Sequence, residues 1–231
     1  MAITADWANA IGVAGSTSSS VSVTKPAGVS VGDALLMLVA AYDDAAITAT
    51  PSGWTPTNTL TPVRESTTEV LNLFAWVRVL DGSEGASFTV NLSSSQYHNY
   101  AVVTVKGAHA SAPYESSSPT NGRASTQSLA GGSTAQANEL VIGAKVGYNQ
   151  AISGNPSNWT SRLTYDTVCR LYDRTVVSAG SFAAESLTVP LADGWVSLAV
   201  AFTDTVSAGS TYPVNLLSSR TPFSTNYRGS L

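Results

Sequence analysis

Cysteine and histidine are nearly missing from this chain: Cys169 stands alone, and His98 and His109 are the two imidazoles. A lone thiol excludes an intrachain disulfide, and these three groups fall short of the four N/S ligands of a structural zinc site. No metal and no other cofactor is expected. Charge is scarce too, at 11% of residues against about 25% in an average soluble domain. Lys and Arg number 11 and Asp and Glu 15, for a net charge of −4. No basic stripe exists to track phosphates, so nucleic acid is not an expected partner. The longest apolar run, Ala34–Tyr42, is about half of what a membrane-spanning helix needs. It reads as a buried strand, and no membrane partner is expected. Residues 1–7 lack a basic region and a continuous apolar stretch, so no secretory leader is expected. Hydroxyls take the place of charge, since Ser and Thr make up about a quarter of the sequence.

Short Val-, Thr-, Leu- and aromatic-rich segments alternate with Gly/Ser/Pro/Asn clusters, and no stretch keeps a 3.6-residue apolar period. The reading is all-β. Expected strands are Ser20–Thr24, Ala34–Tyr42, Glu69–Val79, Ser87–Leu92, Tyr97–Val105, Glu139–Val146, Val168–Val177, Ser186–Val189 and Val196–Phe202. The sequence also repeats. Pro51-Ser52-Gly53-Trp54-Thr55 recurs as Pro156-Ser157-Asn158-Trp159-Thr160, a shift of 105 that also carries Ala34-Leu35-Leu36 onto Glu139-Leu140-Val141. Downstream the shift is 98, pairing Leu73-Phe74 with Leu171-Tyr172 and Tyr97 with Trp195. The halves are roughly 20–107 and 133–204, with a solvated linker expected over 111–134. One sheet from either half would expose an apolar face, so the two are expected to pack as one antiparallel β-sandwich of jelly-roll type over residues 1–206. Residues 207–231 form an extended C-terminal arm with no counterpart in the first half.

Few residues suggest chemistry. A hydrolytic triad needs a base, and His98 and His109 have no Gly-x-Ser-x-Gly elbow to serve. Asp43 and Asp44 are adjacent, so on a strand they point to opposite faces and cannot converge on one glycosidic bond. In a turn they could join Thr48 around calcium, but their counterparts at a shift of 105 are Tyr148 and Asn149. Gly131-Gly132-Ser133-Thr134 lacks the Lys of a phosphate-gripping loop. No catalytic residue is expected. Trp54 and Trp159, being repeated, read as core plugs more than as sugar-stacking platforms. Phe74 and Trp76, alternating with Asn72 and Arg78, read as a contact surface, with Arg170, Tyr172 and Arg174 at the corresponding place in the second half. On the arm, Tyr212, Leu216, Leu217, Phe223 and Tyr227 are the expected partner-binding residues.

The order Lys25-Pro26-Ala27-Gly28 through Gly32-Asp33-Ala34-Leu35-Leu36, then Pro51–Thr55, Ala75-Trp76, Phe88-Thr89-Val90 and Pro156–Thr160 resembles a duplicated β-sandwich module of tailed-bacteriophage virion proteins. Such modules occur in minor tail, fibre-associated and head-surface proteins. The resemblance implies a non-enzymatic virion component, made in a bacterial cytoplasm, whose partners are copies of itself and other virion proteins. The competing expectation is a carbohydrate-binding module that contacts a host-surface glycan, which would leave one of Trp54 and Trp159 exposed.

Overall fold

The computed structural model describes residues 3–43, 45–57, 63–65, 70–152 and 154–204. Among them there is no helix. The strands are β1 (Thr4–Thr24), β2 (Ala34–Tyr42), β3 (Thr55–Pro56), β4 (Val63–Glu65), β5 (Leu71–Val79), β6 (Ser87–Lys106), β7 (Tyr114–Leu129), β8 (Gly132–Thr134), β9 (Glu139–Gly147), β10 (Thr160–Asp166), β11 (Cys169–Val176), β12 (Gly180–Phe182) and β13 (Glu185–Phe202). All pairings are antiparallel. The first sheet runs β1-β6-β2-β5-β3, with β4 also on β5. The second, read from its β7 edge, runs β7-β13-β9-β11-β10, and β8 and β12 form a small ribbon. Each half of the chain therefore builds one sheet, and the two sheets use the same order of parts.

The sheets pack face to face as a β-sandwich-like body. Leu36, Leu38, Leu73 and Val103 from the first meet Ile142, Ala144, Leu171 and Leu198 from the second in one shared core. The central strands β2 and β9 are buried along their whole length, because each sheet also buries its outer face. The long ribbons β1/β6 and β7/β13 carry register shifts, bulges that bend a strand pair. Their far halves lie over the sheets. Val21, Val23, Phe88 and Val90 cover Met37, Val39, Trp76 and Trp54 in the first outer core. Leu129 and Leu187, with Phe182, cover Val141, Tyr172 and Trp159 in the second.

The pairing networks of the two sheets can be laid over the shifts read from sequence. Met37 pairs with Trp76 and Val102, and Gly143 pairs with Tyr172 and Ala199. Pairing alone is met by 105 with 97 and 98, but pairing and core faces together need an even shift between β2 and β9; 106, with 96 and 97 for the other two strands, also carries Arg78 onto Arg174. At a shift of 105, Leu36 in the shared core would map onto Val141 in the outer one. A one-residue slip exchanges the faces of a strand, and hydropathy cannot reveal it where both faces are buried. The Trp54 and Trp159 turns themselves keep the shift of 105, each closed by a hydrogen bond that the Trp backbone N–H donates to the Pro51 or Pro156 carbonyl.

The linker expected over 111–134 is mostly strand. β7 runs along β13 from Tyr114 to Leu129 as the edge of the second sheet. Its Ser-, Thr- and Asn-rich sequence suits a half-exposed edge, and Pro119 is admissible there since an edge strand can forgo one donor. Residues 4–19, not expected as strand, extend β1 to 21 residues. This segment binds the second sheet: Trp7 Nε1 donates to Asp173 Oδ2 at 2.6 Å, and Gly12 lies against Tyr165, where an added Cβ would fall 2.2 Å from the tyrosine Cβ. On the opposite side Tyr114 and Ser117 of β7 donate to the carbonyls of Pro56 and Thr57. Both flanks of the sandwich are thus bridged by side chains.

Candidate functional site

Of the seven residues expected to bind partners, Tyr212, Leu216, Leu217, Phe223 and Tyr227 lie outside the described residues. Phe74 and Trp76 are buried and stack on one another, centroids 5.9 Å apart and planes 9° apart. Their contact surface is internal, the underside of the chain's own β1/β6 ribbon, so a partner would meet neither ring. Alternation showed an aromatic face but not the bent ribbon that covers it. Trp54 and Trp159 are 5% and 4% exposed, so neither is open to a sugar. Each meets a phenyl edge, Phe88 or Phe182.

A matching arginine closes each outer core. Arg78 lies over Phe88 and pairs with Glu84 at 3.2 Å, while its Nη1 donates to the Ser52 carbonyl. Arg174 lies over Trp159 and Phe182 and pairs with Glu185 at 3.3 Å. Glu185 also accepts from Ser157 Oγ, from the Asn158 amide and from Asn158 Nδ2. Burial would raise the Glu185 carboxyl, but the Asn158 and Ser157 donors and Arg174 hold it below the ordinary range. It fastens the β7/β13 ribbon to the Trp159 turn. Arg78 also borders a cleft of about 420 Å³ between Gly53–Thr55, the end of β5 and Ala110–Tyr114.

Tyrosines and carboxylates gather at the end of the sandwich where β2 and β9 finish. Tyr42 meets Tyr97 and Tyr148 with centroids 5.3 and 5.5 Å away. Tyr97 donates to Asp166 and Tyr148 to Asp43. Asn99 Nδ2 lies 3.3 Å from both the Tyr42 hydroxyl and Cys169 Sγ. Tyr97 is 39% exposed, unlike Trp195, its expected counterpart. Asp43, in the left-handed region at φ 54°, begins the turn; Asp44 lies outside the described residues.

His98 is buried. Its Nδ1 lies 3.1 Å from the Gln96 carbonyl, which can only accept, so Nε2 accepts from Ser16 Oγ at 3.1 Å. The bonding order is that of nucleophile and base, but Ser16 and His98 are directly opposed residues of the β1/β6 ladder. The Gly53–Tyr114 cleft contains neither. His109 accepts from the Ser111 and Ala112 amides and shapes a turn. Among the described residues no cluster of three or more His, Cys, Asp or Glu can hold a metal ion.

Sequence reasoning missed the two buried ionisable groups of β9, Glu139 at its start and Lys145 within its apolar run. Glu139 is 2% exposed, and its carboxyl is pushed up to about 9 by burial and by Glu115. Lys145 is fully buried, with Nζ 4.4 Å from the Trp195 ring centroid and no hydrogen-bond partner among the described residues. Burial brings its amine down to about 7, against a weaker opposing pull from Asp193. The signal was the charge itself, one Lys in Val141-Ile142-Gly143-Ala144-Lys145-Val146.

No family model matches the chain, and no curated protein or solved structure is significantly similar to it.

Proposed function

We propose that this chain is a non-enzymatic structural module, a duplicated jelly-roll-like sandwich of the kind found in tailed-phage virions, which assembles through its strand edges and its C-terminal arm. The observation that carries the reading is the pair of long edge strands. β1 has 21 residues with Asp6 as its one charge, β7 has 16 with Glu115 and Arg123, and among the described residues β1 pairs with β6 alone and β7 with β13 alone. Edges of this length and low charge are templates for main-chain pairing with a neighbour. The equivalent strand order and registers of the two sheets support the duplication. Density for the chain on the tail or head in images of whole phage particles would bear the reading out, and its absence from purified particles would overturn it. Deleting residues 207–231 should leave a folded domain that no longer assembles or attaches; full incorporation of the truncated chain would remove the arm from the proposal.

A second reading rests on Tyr97. Its half-open ring beside Asp166 is the sort of aromatic and carboxylate pair that stacks on and hydrogen-bonds a sugar. Glycan-array binding lost in Tyr97→Ala and kept in Trp54→Phe would favour host-surface adhesion.

A further inference from the structure

Lys145 is out of place. Register sets it on the outer face of β9, opposite Arg170 on β11 and Ser197 on β13. It lies beneath the far half of the β7/β13 ribbon, where Ala130 donates its amide to Ser197 Oγ and Gln127 is fully buried. At the corresponding position of the first sheet stands Val39, and at that of Gln127 stands Val21, both in an apolar core.

The charged and titratable groups around Lys145 do not neutralise it. Asp193 on β13 accepts two backbone amides, from Asn149 and Gln150, at 2.7 Å each. Arg170 on β11 reaches away to Thr164 and the Gly154 carbonyl and has the same sign. Tyr172, diagonal on β11, is a phenol that burial keeps neutral. The ribbon segments above, 126–130 and 185–188, contribute no cation and only Glu185, which is bound to Arg174 and Asn158. An ammonium here has an aromatic face and, among the described residues, no hydrogen-bonded anion. Ladder pairing in the ribbon is interrupted at its base, where the register shifts between Thr188 and Asp193 on β13, opposite Ala124–Thr126 on β7.

We infer that the far half of the β7/β13 ribbon is a proton-controlled cover, held shut over a neutral Lys145 and released when that amine takes up a proton and gains access to water. Opening would bare Leu187 and the faces of Trp159 and Tyr172 beneath it. The device belongs to the second half alone, since the first ribbon closes over Val39.

Hydrogen exchange of the full chain tests this, with each amide corrected for its intrinsic pH-dependent rate. Opening that takes up one proton should become about tenfold more frequent per pH unit as pH falls from 10 toward 7, then level off. Amides of 126–130 and 185–188 should show that slope, while those of 20–24 and 87–91 in the first ribbon should not. Lys145→Met should abolish the slope. Equal pH dependence in the two ribbons overturns the inference, and so does a slope that survives in Lys145→Met. If that variant does not fold, the wild-type comparison of the two ribbons still decides.

Discussion

The two outer cores occupy equivalent places in equivalent sheets, yet they are filled on different terms. The first is apolar and full: Met37, Val39 and Trp76 lie under Val21 and Val90. In the second, Gly143, Lys145, Tyr172, Gln127 and Leu187 hold the corresponding positions. Where the first core holds Met37 the second has Gly143, and Trp159 packs against it so closely that an added Cβ would lie 2.9 Å from the indole. One scaffold thus tolerates either a self-sufficient apolar filling or a large ring packed on a glycine beside a buried amine. What the fold demands is that the outer face be covered; the covering chemistry is free to vary.

The largest expected effects break this comparison at its centre. Trp159→Ala and Trp54→Ala should each lose about 3–5 kcal/mol, with Trp159 the costlier because Gly143 offers no side chain to relax into the hole. Denaturant midpoints measure this, and a smaller loss at Trp159 would refute the packing difference. Next, Lys145→Met should stabilise the protein by on the order of 3–4 kcal/mol at pH 7. The folded amine, at about 7, lies below the ordinary lysine range. At this site the unfolded state therefore binds more protons between about pH 7 and 10, and the stability gap between the variant and the wild type should narrow as pH rises through that window. Glu139 works the other way: its raised carboxyl keeps a proton that the unfolded chain has lost, so its contribution fades as pH climbs from about 4.5 to 9. Stability curves of Glu139→Gln and Lys145→Met should have opposite slopes between pH 7 and 9, and parallel curves would contradict both assignments. A smaller loss, about 1–3 kcal/mol, is expected for Gly143→Ala from overpacking against Trp159. It should be relieved in a Trp159→Phe background, and additivity of the two changes would show that they do not touch. The smallest effect sharpens the picture: Glu185→Gln should cost about 1 kcal/mol, seen as faster exchange in the second ribbon, with no change in the first.

Most of the architecture was legible in the sequence and part of it was inverted by a single residue. Val-, Thr-, Leu- and aromatic-rich segments between Gly/Ser/Pro/Asn clusters located β2, β5, β9 and β11, and the lack of a helical period gave the all-β class. The Ser- and Thr-rich stretches of β1 and β7 were not legible as strands, because an edge strand facing water on one side needs little apolar content. Phe74 and Trp76 were correctly read as a packed face but assigned to the wrong neighbour: the bulges that bend β1 and β6 over them leave no compositional mark. Lys145 escaped notice because it is one charge inside an apolar run that only the covering ribbon makes anomalous, and Glu139 because a carboxylate at the start of a strand reads as an exposed end.

Cys169 gives these ideas a clock. Its thiol lies in the shared core between the sheets, fully buried, beside Asn99 and pushed up to about 12 by burial. A thiol so placed reacts with a disulfide reagent only when the sheets themselves part. With no second cysteine to confuse the signal, labelling at this one sulfur times the separation of the halves, independently of any lifting of the outer ribbons.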